Sequence, residues 1–108
     1  MELIEQTPEE YFMNQIYAIS ESWQTKHSDF YKVYKVTNKL VYLRKLKSRS
    51  TQISSSDSPP SFYGWHKATA INQYHTDWNN KYTEKRIKIS VISNWKPNCE
   101  YDYEVYPD

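Results

Sequence analysis

The segment Asp29–Arg49, DFYKVYKVTNKLVYLRKLKSR, constrains the fold of this chain more than any other stretch. Two runs with strand-type alternation flank Asn38-Lys39, the pattern of a β-hairpin. The spacing predicts strands over Asp29–Val36 and Leu40–Lys47. A two-residue turn at Asn38-Lys39 sets Val36 opposite Val41 and Tyr34 opposite Leu43, with Lys32 and Lys45 farther along. The other face then carries Tyr31, Val33, Leu40, Tyr42 and Leu46, with Lys35 and Arg44. Both faces are partly apolar, so the hairpin must be covered on both sides, as in a small barrel or curled sheet.

The hairpin is also where the positive charge is concentrated. Seven Lys and Arg residues fall in Asp29–Arg49 against one acid, Asp29, although the chain's net charge is only +1. Residues 1–28 carry five acids and one Lys, and residues 53–108 carry seven acids and six bases. Nucleic-acid binding over the whole surface would need a more basic chain, so any such binding must be local.

A chain of 108 residues has the length of one domain and can bury a modest core. Aromatics make up 17% of it, so rings must supply much of that core. Tyrosine hydroxyls prefer a wet or hydrogen-bonded end, which favours a ring-lined, half-wet surface. Gly64 is the single glycine, which disfavours the Gly-rich phosphate loops of nucleotide binders. The lone Cys99 cannot form an intrachain disulfide. Nothing resembles a signal peptide, and no apolar run approaches the roughly 20 residues of a membrane span. The expectation is a protein of a reducing cytosol, with no membrane partner.

Around the hairpin, Thr7-Pro8-Glu9-Glu10 reads as a helix start, with Thr7 as N-cap and Glu10 closing a capping box. Tyr11, Phe12, Ile16 and Ile19 extend the predicted helix to about Ala18 or Ile19 within an N-terminal segment 1–20. Ser48–Ser61 is Ser/Pro-rich and reads as a mobile loop. The remaining strands are expected within 62–108: Phe62–Ala70, Arg86–Ser93 with Ile87, Ile89 and Val91 on one face, and Glu100–Val105. In the last, Glu100, Asp102 and Glu104 alternate with Tyr101, Tyr103 and Val105. The fold class expected is α+β: one N-terminal helix on a bent antiparallel sheet, with an SH3-like small barrel as its specific form.

Ser22-Trp23, Asp29-Phe30-Tyr31-Lys32-Val33, Leu40 to Arg44, Pro59-Pro60-Ser61-Phe62-Tyr63-Gly64 and Trp95-Lys96-Pro97 together form a pattern over about residues 22–106. The pattern resembles a loose group of small uncharacterised proteins encoded by phages and other mobile elements. Two departures stand out: a short loop from Trp23 to Asp29, and Asn-Lys at the turn where a Gly often stands. The resemblance carries no activity and no functional residue. It implies a setting, an accessory gene of a phage or plasmid.

Four groups of residues could carry function. In the hairpin, the partner-binding candidates are Tyr31, Lys35, Tyr42, Arg44, Lys45 and Lys47. Their cations suit phosphates and their rings suit bases or a protein hot spot. The plainer reading is a solvated charge pattern that protects a strand edge. Glu100, Asp102 and Glu104 form a secondary acidic candidate, with one wet strand face as the plainer reading. His27, His66, His75 and Cys99 are too scattered for a metal motif, so no metal or cofactor is expected. His66 and His75, with Lys67 or Tyr74 nearby, would be the acid and base of a small nuclease, but no nucleophile motif accompanies them.

The function expected from the setting that the resemblance implies, together with the lack of a catalytic motif, is non-enzymatic: an accessory protein of a phage or plasmid that binds a host protein or ribonucleoprotein in the cytoplasm of a bacterial host. Inhibition of a host defence complex such as a CRISPR effector is one concrete form. The alternatives are a single-stranded nucleic-acid binder and, third, a small nuclease.

Overall fold

A computed structural model describes residues 7–20, 28–53 and 64–105. They form a mostly β fold, one six-stranded antiparallel sheet with two short helices. The order along the chain is α1 (Pro8–Phe12), β1 (Ile16–Ile19), β2 (Asp29–Val36), β3 (Leu40–Gln52), β4 (Gly64–Tyr74), β5 (Glu84–Lys88), α2 (Ile89–Ile92) and β6 (Glu100–Val105). Among the described residues no helix is long and apolar enough to cross a membrane.

The helix starts as its sequence dictates. Thr7 Oγ1 accepts the Glu10 amide at 3.2 Å, and Pro8 occupies the first turn. It ends at Phe12 rather than near Ile19. Asn14 takes a left-handed conformation (φ 69°), which Asn tolerates and which turns the chain away. Ile16–Ile19 then pairs with β2, with Tyr17 opposite Tyr31. A longer isolated helix is marginal in water, and strand pairing wins here.

The hairpin forms over the predicted strands, but its register shifts once. Val36 pairs with Val41 and Lys35 with Tyr42; Val33 then pairs with Leu43, leaving Tyr34 as the extra residue of a β-bulge. One inserted residue moves everything N-terminal to it onto the opposite face. Tyr31 and Val33 therefore join Val41 and Leu43 in the core, and Lys32 comes to lie beside Arg44.

β3 runs past its expected end. Ser48–Gln52, expected as the start of a loop, is strand because β4 lies alongside it, pairing Ser50 with Ala68 and Gln52 with His66. Its Ser/Thr composition reflects exposure, not lack of backbone order. The rest of that expected loop, 54–61, lies outside the described residues. One edge of β3 holds β2. The other holds β5 along Leu40–Arg44 and β4 from Leu46 onward. The changeover is at Lys45, whose N–H donates to the Thr83 carbonyl (2.8 Å) and whose carbonyl accepts from His75 (2.9 Å).

The predicted strand Arg86–Ser93 divides. β5 ends at Lys88, opposite Leu40, where β3 has no further residue to offer. Ile89 donates to Lys39 (2.9 Å), and Ile89–Ile92 winds into one helical turn that buries Ile92 and leaves Val91 exposed.

The sheet curls until it nearly closes. β4 pairs with β6, and the approach to β6 returns to β1 through Asn98 N–H to the Ile16 carbonyl (2.7 Å). The Tyr101 hydroxyl donates to the Ser28 carbonyl and accepts the Ser28 amide. One face of the hairpin is accordingly covered along its length, and the other is covered at its Phe30–Leu46 end and open toward the turn. One cluster joins Phe12, Tyr17, Tyr31, Val33, Val41, Leu43 and Ile92; the other joins Phe30, Leu46 and Ala68, with Tyr101 and Tyr103 packed against it.

Candidate functional site

Curling leaves part of the sheet open. Paired residues in an antiparallel ladder share a face. The rungs Lys32–Arg44–Glu84, Lys35–Tyr42–Arg86 and Leu40–Lys88 therefore lie together on β2, β3 and β5. This face carries five cations and one acid, a local surplus of four positive charges that the net charge of +1 conceals.

At its centre Arg44 is held between rings. Its Cζ lies 4.0 Å from the Tyr34 ring centroid, 4.5 Å from that of Tyr82 and 5.7 Å from that of Tyr74. Its Nε donates to Glu84 Oε1 at 2.9 Å, and the Tyr34 hydroxyl donates to Glu84 Oε2 at 3.0 Å. These two hydrogen bonds, Arg44 first, hold the Glu84 carboxyl below its ordinary pKa. Partial burial and then the bond to Glu84 raise that of the Tyr34 phenol. The arrangement is a planar guanidinium stacked on aromatics, worth about 0.5–2 kcal/mol per cation–π contact, whereas an exposed ion pair alone contributes about 0–1 kcal/mol. The β-bulge serves this cluster, because it places the Tyr34 ring over Arg44. Lys35 stands over Tyr42 (5.2 Å), and Lys32 Nζ donates to Asn72 Oδ1 (2.9 Å). A groove of about 400 Å³ runs between Tyr34, Tyr42, Glu84 and Arg86.

Of the hairpin candidates, the fold brings Lys35, Tyr42 and Arg44 together on this face. Tyr31 is a correction: fully buried (0% exposed), it is a core residue and cannot touch a partner. Lys45 is on Tyr31's face, 3.5 Å from the Asp29 carboxylate, and strand alternation puts the exposed Lys47 on that side too. Glu100, Asp102 and Glu104 line up on β6 against Trp65, Lys67 and Thr69 of β4, and Glu100 approaches Lys67 at 3.9 Å. That acidic row is separate from the basic face, while Tyr101 and Tyr103 turn inward as their alternation predicts.

His66 is buried near the start of β4, stacked on Tyr103, while His75 follows the strand's far end. The structure does not bring them together as an acid–base pair. His27 lies outside the described residues. No cluster of three metal-ligating side chains occurs among the described residues, and Cys99 is exposed. A larger hollow of about 640 Å³ lies at the hairpin tip, between Asn38, Lys39 and Ile89. Its lining is mainly apolar and carries Lys39 and Lys88 with no acid beside them.

Sequence reasoning missed Tyr74, Tyr82, Glu84 and Arg86. A signal for β5 was present in Glu84, Arg86 and Lys88, which alternate with Lys85 and Ile87 on a strand-like run. The bulge had no such signal. The chain matches no family model, and no curated protein and no solved structure matches it significantly.

Proposed function

We propose that this protein is a non-enzymatic binding protein and that the open β2–β3–β5 face is its contact surface. The observation that carries the proposal is the Arg44 stack within a surplus of positive charge on a rigid sheet. Rings and guanidinium groups lose little entropy on contact, which suits an anchor. The complementary partner is anionic and presents flat groups, as a host ribonucleoprotein does. Within this proposal the chain is an accessory protein of a phage or plasmid, acting in a bacterial cytoplasm by occupying such a surface, with inhibition of a CRISPR-type defence complex as one form. The same reading takes the curled sheet and its N-terminal helix as an α+β, SH3-like small barrel, an architecture that leaves one face free.

The test is recovery of a host component from bacterial lysate by wild type and by a Lys35→Glu/Arg86→Glu variant. Both side chains are exposed, so the variant keeps its fold. The proposal expects the charge reversal to abolish recovery. Equal recovery by a folded variant overturns it.

A further inference from the structure

The turn between β4 and β5 holds Trp78, which is 90% exposed. Its backbone is fixed. Asp77 Oδ1 accepts the amides of Asn79 (2.8 Å) and Lys81 (3.0 Å), and the Asp77 N–H donates to the Lys81 carbonyl (2.9 Å). Asn80 donates to the Asp77 carbonyl (2.9 Å) in a left-handed conformation (φ 61°). Thr76 and Tyr82 form a β-bridge, and both ends of the turn are pinned to Lys45. An indole offers one of the largest gains from burial of any side chain. Here an ordered turn holds one in water.

The rings continue from this turn across the sheet. Tyr82, 46% exposed, meets Tyr74 edge-on at 5.5 Å and covers Arg44; Tyr34 covers Arg44 from 4.0 Å and meets Tyr42 at 6.3 Å. Flat groups thus follow one another from β5's approach to β2. The two acids of this patch are engaged internally, Glu84 by Arg44 and Tyr34, and Asp77 by backbone amides. Lys35, Arg86 and Lys88 remain exposed beside the row.

We propose that Trp78 and this row bind single-stranded nucleic acid, free or displayed by a ribonucleoprotein. Bases stack on Trp78 and Tyr82, and phosphates lie against Lys35, Arg86 and Lys88. The inference rests on the open face being the contact surface and names the chemistry it meets. Bases favour an exposed π-face among wet polar groups, and a duplex keeps them unavailable. A protein hot spot instead sits in a rim that excludes water. Trp78's neighbours Asp77, Asn79, Asn80 and Lys81 are all exposed and polar.

The experiment is fluorescence anisotropy of labelled oligo(dT) and oligo(rU) of about 15 nucleotides, with the intact chain across a salt series. Binding should weaken with a log–log slope of about −2 if three phosphates are neutralised, at about −0.7 each. Trp78→Ala should weaken binding by about 10- to 100-fold, as loss of one stacked base does. Trp78→Phe should recover most of it, with unchanged circular dichroism and melting for both. Lys35→Glu/Arg86→Glu should flatten the salt slope. Absence of salt-sensitive binding to either oligomer overturns the inference, and lysate recovery that survives nuclease treatment then assigns the face to a protein. If charge reversal abolishes binding while Trp78→Ala matches wild type, the stacking role falls and the contact face stands. If neither variant changes binding, both fall.

Discussion

Replacing Tyr31 by Ala separates the bulged register from the unbulged one. In the unbulged hairpin Tyr31 shares the wet face with Tyr42, and its loss would cost little. With Tyr34 bulged out, Tyr31 is fully buried between Tyr17 and the Val33–Leu43 pair, with the Lys85 ammonium 5.5 Å from its ring. Truncating a buried aromatic ring to Ala costs about 3–5 kcal/mol through lost transfer energy and the cavity left behind. A domain of this size has about 5–15 kcal/mol in total, so the variant should approach unfolding. At about 4–8 °C per kcal/mol for a domain near this length, the melting temperature should fall by roughly 12 °C or more. Tyr42→Ala loses only a partly exposed ring, its edge contact with Tyr34 (6.3 Å) and its cover by Lys35. It should cost about 0.5–1.5 kcal/mol. The assay is urea unfolding followed by tryptophan fluorescence, with equal slopes for the three proteins. A cost below about 1 kcal/mol for Tyr31→Ala, with a larger one for Tyr42→Ala, would refute the bulged register.

Other outcomes follow from single contacts. Asp77→Ala removes the acceptor of two turn amides, so exchange at Asn79 and Lys81 should accelerate while the β2–β3 amides stay protected; unchanged exchange at the turn contradicts its construction. The Glu84 carboxyl, held below its ordinary value of 4.5, should titrate upward toward it in Arg44→Ala, read by carbon NMR; an unmoved titration denies the pair. Because that folded-state pKa is depressed, Glu84's contribution to stability is present above pH 4.5 and is lost as pH falls through the lower value. The buried Tyr17 hydroxyl has no hydrogen-bond partner among the described residues, so Tyr17→Phe should be neutral or stabilise by up to about 1 kcal/mol in the same urea assay, and a loss beyond that would reveal a partner.

Where local chemistry decided the structure, the sequence was readable. Alternation defined β2 and β6, and Thr7-Pro8 defined the helix start. Where a neighbour decided, it was not. Ser48–Gln52 is strand because β4 lies beside it, and Ile89–Ile92 coils because β3 has ended. The site divided the same way. Lys35, Tyr42 and Arg44 were found from charge and pattern, but a one-residue bulge exchanged Tyr31 for Lys32 on the open face. Tyr82, Glu84 and Arg86 come from a segment about 40 residues away, whose docking on β3 no local pattern encodes. Trp78 had a readable cue in the turn formers Asp77, Asn79 and Asn80 around it.

The most direct measurement of where this protein makes contact is an amide NMR titration with oligo(dT) of about 15 nucleotides. The account predicts that resonances of residues 32–35, 40–44 and 84–88 and the Trp78 indole shift together, while those of β6 stay in place. Shifts concentrated on Glu100–Glu104 or on the α1 and α2 side, with the β2–β3–β5 face unmoved, would contradict it.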